Sequence, residues 1–164
     1  MHDRVFHLLF LCTGNSARSI MAEVMLNHLG GWHFRAYSAG SHPKGTVHPL
    51  AMASMQSMGL PVDGLRSKSW EEFAQPDAPA LDCIVTVCDD AAGEVCPVWP
   101  GKPMTAHWGV EDPAALQGTE EEQRQKFHQV ARILRQRIER LLSLPLATLG
   151  SMTIQAKLRE IGQG

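Results

Sequence analysis

No stretch of this 164-residue chain approaches the ~18 consecutive apolar residues that a membrane-spanning helix requires, so no membrane association is expected. Its basic residues never gather into a run. With a formal net charge of −2 it lacks the concentrated positive face of a general nucleic-acid binder. Cysteine is scarce. Cys12, Cys83, Cys88 and Cys96 are too few to scaffold a chain of this length with disulfides, and none forms a C-x2-C pair of the structural-zinc kind. The opening MHDRVFHLLFLCTG is basic and then apolar. However, Asp3 and two histidines interrupt it and no A-x-A site comes after it, so it reads as a first strand rather than a leader. The expected location is therefore the cytoplasm, with reduced thiols. There is no internal repeat, no linker and only one tyrosine, Tyr37.

The residues present fit one domain, long enough to bury roughly 70% of the unfolded chain's surface. Val5 to Leu11 is a continuous apolar run, as in a strand buried on both faces. From Ser19 the pattern IMAEVMLNHL has helical spacing and stops at Gly30-Gly31. WHFRAYSAG (32–40) reads as a second strand. HPLAMASMQSM (48–58) reads as a helix with Pro49 in its first turn and its methionines as core filler. Trp70 to Phe73 suggests one helical turn, CIVTV (83–87) a buried strand, and Met104 to His107 a short last strand. A long helix spans about Thr119 to Ser143, with Thr119 and Glu122 as a capping box. Its apolar stripe is Phe127, Val130, Ile133, Leu134, Ile138, Leu141 and Leu142. Strands alternating with helices predict an α/β fold: one parallel sheet of about four strands flanked by helices on both faces. The catalytic unit is expected over 1–143. Residues 144–164 form a C-terminal extension to which no role is assigned, although MTIQAKLREIG suits a short helix.

Ligands of such sheets bind at the carboxyl ends of the strands, where Cys12, Ser38 and Cys88 all fall. The segment Cys12-Thr13-Gly14-Asn15-Ser16-Ala17-Arg18-Ser19 leads from a strand into a helix. A loop of this kind turns successive backbone N–H groups toward one centre, and the helix adds its positive end. A tetrahedral oxyanion fits there, and Arg18 can fork two hydrogen bonds to it. The same field would lower the pKa of Cys12 and make it a thiolate aimed at the bound anion. Ser19 can donate a further hydrogen bond to that sulfur. No lysine stands where a GxxxxGK[ST] nucleotide loop needs one, and no cofactor or metal is expected.

The segment resembles the active-site loop of the low-molecular-weight protein tyrosine phosphatase superfamily. Its CTGNSARSxMAE form is similar to that of the arsenate reductases built on the same fold. The resemblance extends to YSAG at 37–40, VTVCDDA around Cys88, CPVWPG at 96–101 and HWGVEDPA at 107–114. It implies that Asp112 is the general acid that protonates the leaving oxygen. Read without the resemblance, Asp112 would simply cap the turn at Pro113.

A phosphatase needs one thiolate and water, whereas a reductase must draw two electrons from thiols. Cys88 and Cys96 are flanked by polar residues and suit a relay in which Cys88 attacks Cys12 and Cys96 then attacks Cys88. Cys83, inside an apolar strand, reads as core. Thioredoxin, or glutathione with glutaredoxin, is the expected reductant. The seven residues between Cys88 and Cys96, where six are common, leave open which. Phosphatases of the superfamily that act on proteins usually carry tyrosines after the D-P pair, but DPAALQG has none. Some relatives hold a potassium ion near the loop through Asn, Glu, Ser and Asp. Asn15, Glu23 and Ser38 match, but Lys68 stands at the Asp position, and its ammonium is expected to replace the ion. The reading is an arsenate reductase acting on arsenate or a phosphate-like oxyanion. The alternatives are a phosphatase and a non-catalytic oxyanion-binding module.

Overall fold

The computed structural model describes residues 5–88 and 99–163. Four strands, β1 (Phe6–Leu11), β2 (Phe34–Ala39), β3 (Cys83–Thr86) and β4 (Met104–His107), form one sheet in the order β2-β1-β3-β4. Every pairing is parallel. The order reverses between β1 and β3, so the chain leaves their adjacent carboxyl ends in opposite directions and opens a crevice there. Leu11 pairs with Thr86, which brings the residues just after both strands side by side.

The apolar run of β1 alternates between two cores, as its burial on both faces requires. Leu8 and Phe10 face one cluster, with Met21, Met25, Met55, Phe127 and Leu134 from the helices. Leu9 and Leu11 face the other, with Ala39, Phe73 and Ile84. Three helices, α1 (Arg18–Leu29), α2 (Pro49–Ser57) and α3 (Glu120–Leu142), pack together over the first face. Among the described residues, the second face is covered by the single turn Trp70–Phe73 and its neighbours. Met55 and Cys83 are fully buried, as core residues should be.

Local chemistry sets the element ends. His48 caps α2, its Nδ1 accepting the Leu50 N–H at 3.1 Å, with Pro49 next in line. The capping box of α3 is complete: Thr119 Oγ1 accepts from Glu122 N at 3.1 Å and Glu122 Oε1 from Thr119 N at 2.9 Å. The second strand starts at Phe34, later than the expected Trp32. Gly31 takes a positive φ of 59° and winds Gly31–His33 into a 3-10 turn, so Trp32 stacks on His33 and stays 57% exposed.

The C-terminal stretch forms a fourth helix, α4 (Ser151–Gln163), against β4. Ile154, Leu158 and Ile161 are its buried face. Its polar side chains take the outward backbone groups of the edge strand: Gln155 Oε1 accepts from Thr105 N at 3.2 Å, and Arg159 Nε donates to Thr105 O at 3.3 Å. No helix among the described residues is long and apolar enough to cross a membrane.

Candidate active site

The loop from Cys12 to Arg18 is shaped by the segment that comes after β2. His42 N donates to Thr13 O at 2.9 Å, Lys44 N to Gly14 O at 3.0 Å, and His48 N to Ser16 O at 2.9 Å. In a trans peptide the carbonyl and the next N–H point opposite ways. Drawing the carbonyls of residues 13, 14 and 16 outward therefore turns the N–H groups of Gly14, Asn15 and Ala17 inward. Helix α1, which starts here, has no side-chain cap and no acidic residue in its first turn. Its positive end is left for an anion.

Asn15 locks the loop. It sits fully buried at a φ of 43°, a conformation that asparagine tolerates better than most residues. Its Nδ2 donates to Ser19 Oγ at 2.8 Å, and its Oδ1 accepts from Lys68 N at 2.8 Å. The buried Ser19 hydroxyl accepts from the Asn15 amide, which leaves its own O–H as a donor. Gly40 closes the loop from below: a Cβ there would lie 2.5 Å from Thr13 O and 2.6 Å from Cys12 O. That close approach of two backbones explains the glycine of YSAG.

The walls gather the remaining residues. Cys12, Thr13, Gly14, Ser16, Ala17 and Arg18 line a cavity of about 230 Å³ together with His42, Lys44, His48, Asp112 and Ala114. Arg18 Nη1 donates to Val110 O at 3.1 Å, and its Nη2 lies 3.9 Å from Asp112 Oδ2. Asp112 Oδ1 also accepts from Ala114 N at 3.0 Å. The capping reading of Asp112 and its place in the pocket therefore hold together, and the cap presents the second oxygen to Arg18. Burial, and then the charge of Lys44, hold the His48 imidazole below its ordinary pKa.

Cys88, placed after β3, meets the loop as the register requires. Thr13 N donates to Cys88 Sγ at 3.3 Å, and the Cys88 thiol is hydrogen-bonded to Cys12. Both residues are buried as thiols. Here one expectation is corrected. The Cys88 hydrogen bond, together with burial as the next cause, pushes the Cys12 thiol up, outweighing the downward pull of Arg18 and of the Gly14 N–H. The field of the loop is legible in the sequence, but the contact of a second thiol with the first is not. Cys96 lies outside the described residues.

Lys68 sits beneath the loop. Its Nζ donates to Ser38 O at 2.8 Å and Arg66 O at 2.9 Å, and lies 4.0 Å from Glu23 Oε1, which accepts from Ser38 Oγ at 2.5 Å. Burial, only partly offset by Glu23, lowers the Lys68 pKa. Burial likewise raises that of Glu23, against the pull of Ser38 and Lys68. Among the described residues no group of three metal-binding side chains occurs. The segment 42–48 carries no motif that marks it in the sequence. Its only signal is topological: in a parallel sheet the connection leaving β2 must lie beside the one leaving β1.

A parallel sheet with a thiol, an amide-lined loop and an arginine at its switch point is an arrangement suited to holding a tetrahedral oxyanion. The chain belongs to the low molecular weight phosphotyrosine protein phosphatase family, whose model matches residues 7–157. It is 38% identical over 130 residues to the arsenate reductase of Bacillus subtilis, covering 79% of this chain and 88% of that protein. A solved arsenate reductase in its phosphate-binding state superposes with a TM-score of 0.65 at 26% identity, covering 85% of this chain and 98% of the other. A thioredoxin-dependent arsenate reductase from Corynebacterium glutamicum gives 0.57 at 27% identity, over 83% of this chain and 62% of the other.

This geometry gives two testable outcomes. Gly40→Ala should cost about 1–3 kcal/mol in denaturant unfolding, because the methyl group must displace backbone rather than a side-chain tip. A variant as stable as wild type would show that the loop does not rest on residue 40. Cys88→Ala removes the largest influence raising Cys12, so iodoacetamide should alkylate Cys12 with a lower pH midpoint than in wild type. An unmoved midpoint would mean that Cys88 does not control the proton.

Proposed function

We propose that the protein is an arsenate reductase. The observation that carries this is the buried Cys88 beside Cys12 and Thr13, since a one-thiolate phosphatase has no use for a second thiol there. Arsenate sits in the cradle of inward amides with Arg18 on its oxygens. The Cys12 thiolate attacks arsenic(V), forming an S–As bond, and Asp112 gives its proton to the departing oxygen, which leaves as water. Cys88, as thiolate, then attacks the Cys12 sulfur. An S–S bond forms, the S–As bond breaks, and its electron pair stays on arsenic, which leaves as arsenite. Two cysteines are oxidised and arsenic is reduced by two electrons. Attack of Cys96 on Cys88 frees Cys12 and leaves a Cys88–Cys96 disulfide for an external dithiol such as thioredoxin, or for glutathione with glutaredoxin. Expulsion of Cys12 in that exchange is helped by the same Arg18 and amides that bound the anion.

Attack needs Cys12 as thiolate, which Arg18 and the Gly14 N–H favour and which Cys88 and burial oppose. The test is arsenate-dependent NADPH oxidation, with thioredoxin and its reductase, then with glutathione and glutaredoxin. Cys12→Ser, Cys88→Ser and Cys96→Ser should each abolish multiple turnover. Full turnover by both Cys88→Ser and Cys96→Ser would sink the relay and leave the phosphatase reading.

Lys68 stands in for the potassium ion of some relatives: its ammonium already meets the carbonyls of Ser38 and Arg66 and the Glu23 carboxylate. The Lys68 ammonium supplies a positive charge beside Glu23 and Ser38, where the relatives' ion would sit. Turnover should therefore be equal in potassium and sodium at matched ionic strength, and a several-fold rise with potassium would overturn the assignment.

A further inference from the structure

Trp108, four residues before Asp112, is fully buried, and its indole Nε1–H donates to the carbonyl of Leu158 in α4 at 2.8 Å. The indole reaches that carbonyl because residue 162 is glycine. A Cβ there would overlap the His107 carbonyl oxygen and lie 2.8 Å from Trp108 Cδ1. Any side chain at 162 would have to displace the His107 backbone, so the contact admits only glycine. Arg140 of α3 holds the end of α4 in turn, its Nη1 donating to Ile161 O at 3.4 Å.

Beyond Trp108 the backbone is tied at successive residues on the way to the acid. Trp108 N donates to Thr86 O at 2.7 Å and Val110 N to Val87 O at 3.0 Å. Arg137 Nη1 donates to Gly109 O at 2.9 Å, and Arg18 Nη1 to Val110 O at 3.1 Å. A displacement at Trp108 therefore has little slack in which to dissipate before it reaches Arg18 and Asp112.

We propose that α4 is a positioning element for the acid: Gly162 and the Leu158 carbonyl seat Trp108, and Trp108 sets the depth at which Asp112 enters the oxyanion pocket. The proposal rests on the reading of Asp112 as the general acid. It assigns the C-terminal extension a part in chemistry although none of its residues lines the substrate pocket.

The experiment measures single-turnover arsenite release from pre-reduced enzyme, with no external reductant, across arsenate concentrations. Gly162→Ala and Trp108→Phe are each made in wild type and in Asp112→Asn, and thermal unfolding is followed alongside. In wild type, each should lower the saturating rate about tenfold or more, the size expected when a catalytic group is displaced by a fraction of its reach. The half-saturating arsenate should move less than about twofold, because Arg18 and the amides still bind the anion. In Asp112→Asn the same substitutions should cost less than about twofold, since the group they misplace is already gone. Equal losses in both backgrounds, or no loss in wild type, would overturn the proposal. Asp112→Asn at the wild-type rate would instead sink the acid reading on which it rests. Trp108→Phe keeps a ring in the core and removes the donor, so it carries the test should Gly162→Ala fail to fold.

Discussion

Three backbone amides decide which way the peptide planes of the loop face. Those of His42, Lys44 and His48 take the carbonyls of Thr13, Gly14 and Ser16, and the intervening N–H groups turn to the interior as a consequence of planarity alone. The cradle is thus not a property of the loop's own residues alone. A neighbouring segment shares in setting it, and that segment is held there by the parallel pairing of β1 with β2. Gly40, at the end of β2, completes the constraint by letting the two backbones touch. A preorganised set of dipoles needs no reorganisation when charge arrives.

The second constraint is topological. A sheet ordered β2-β1-β3-β4 places the ends of β1 and β3 together while sending their connections apart. A thiol one residue past β1 and another shortly past β3 are thereby neighbours, although they are far apart in sequence. The fold that creates an anion site at this crevice also creates a place for a second sulfur with no change of architecture.

Much of this is legible in the sequence. The apolar run at 5–11, the Thr119 and Glu122 box and the spacing of the long helix each report a local rule, and each element forms where its rule applies. The meeting of Cys12 and Arg18 at one cavity can be read because both lie on one continuous turn. The features that are not legible depend on contacts between distant segments. The use of the Lys68 backbone N–H, rather than its ammonium, on Asn15, the amides of residues 42–48 and the influence of Cys88 on the Cys12 proton all arise where separate elements meet. Trp32 departs from expectation for a local reason. Its aromatic neighbours suggest strand, but the positive φ of Gly31 delays the sheet until Phe34.

The edge strand β4 is short and lies at one side of an open parallel sheet, where unpaired backbone groups could recruit a strand from another molecule. Helix α4 lies against that side, and two of its side chains already hold Thr105, Gln155 at the N–H and Arg159 at the carbonyl. The sheet therefore ends here by satisfaction rather than by charge or proline. A chain shortened before residue 151 would bare both groups of Thr105 together with the apolar underside that Ile154, Leu158 and Ile161 cover. The thirteen residues of the last helix thus shield an edge to which another strand could add.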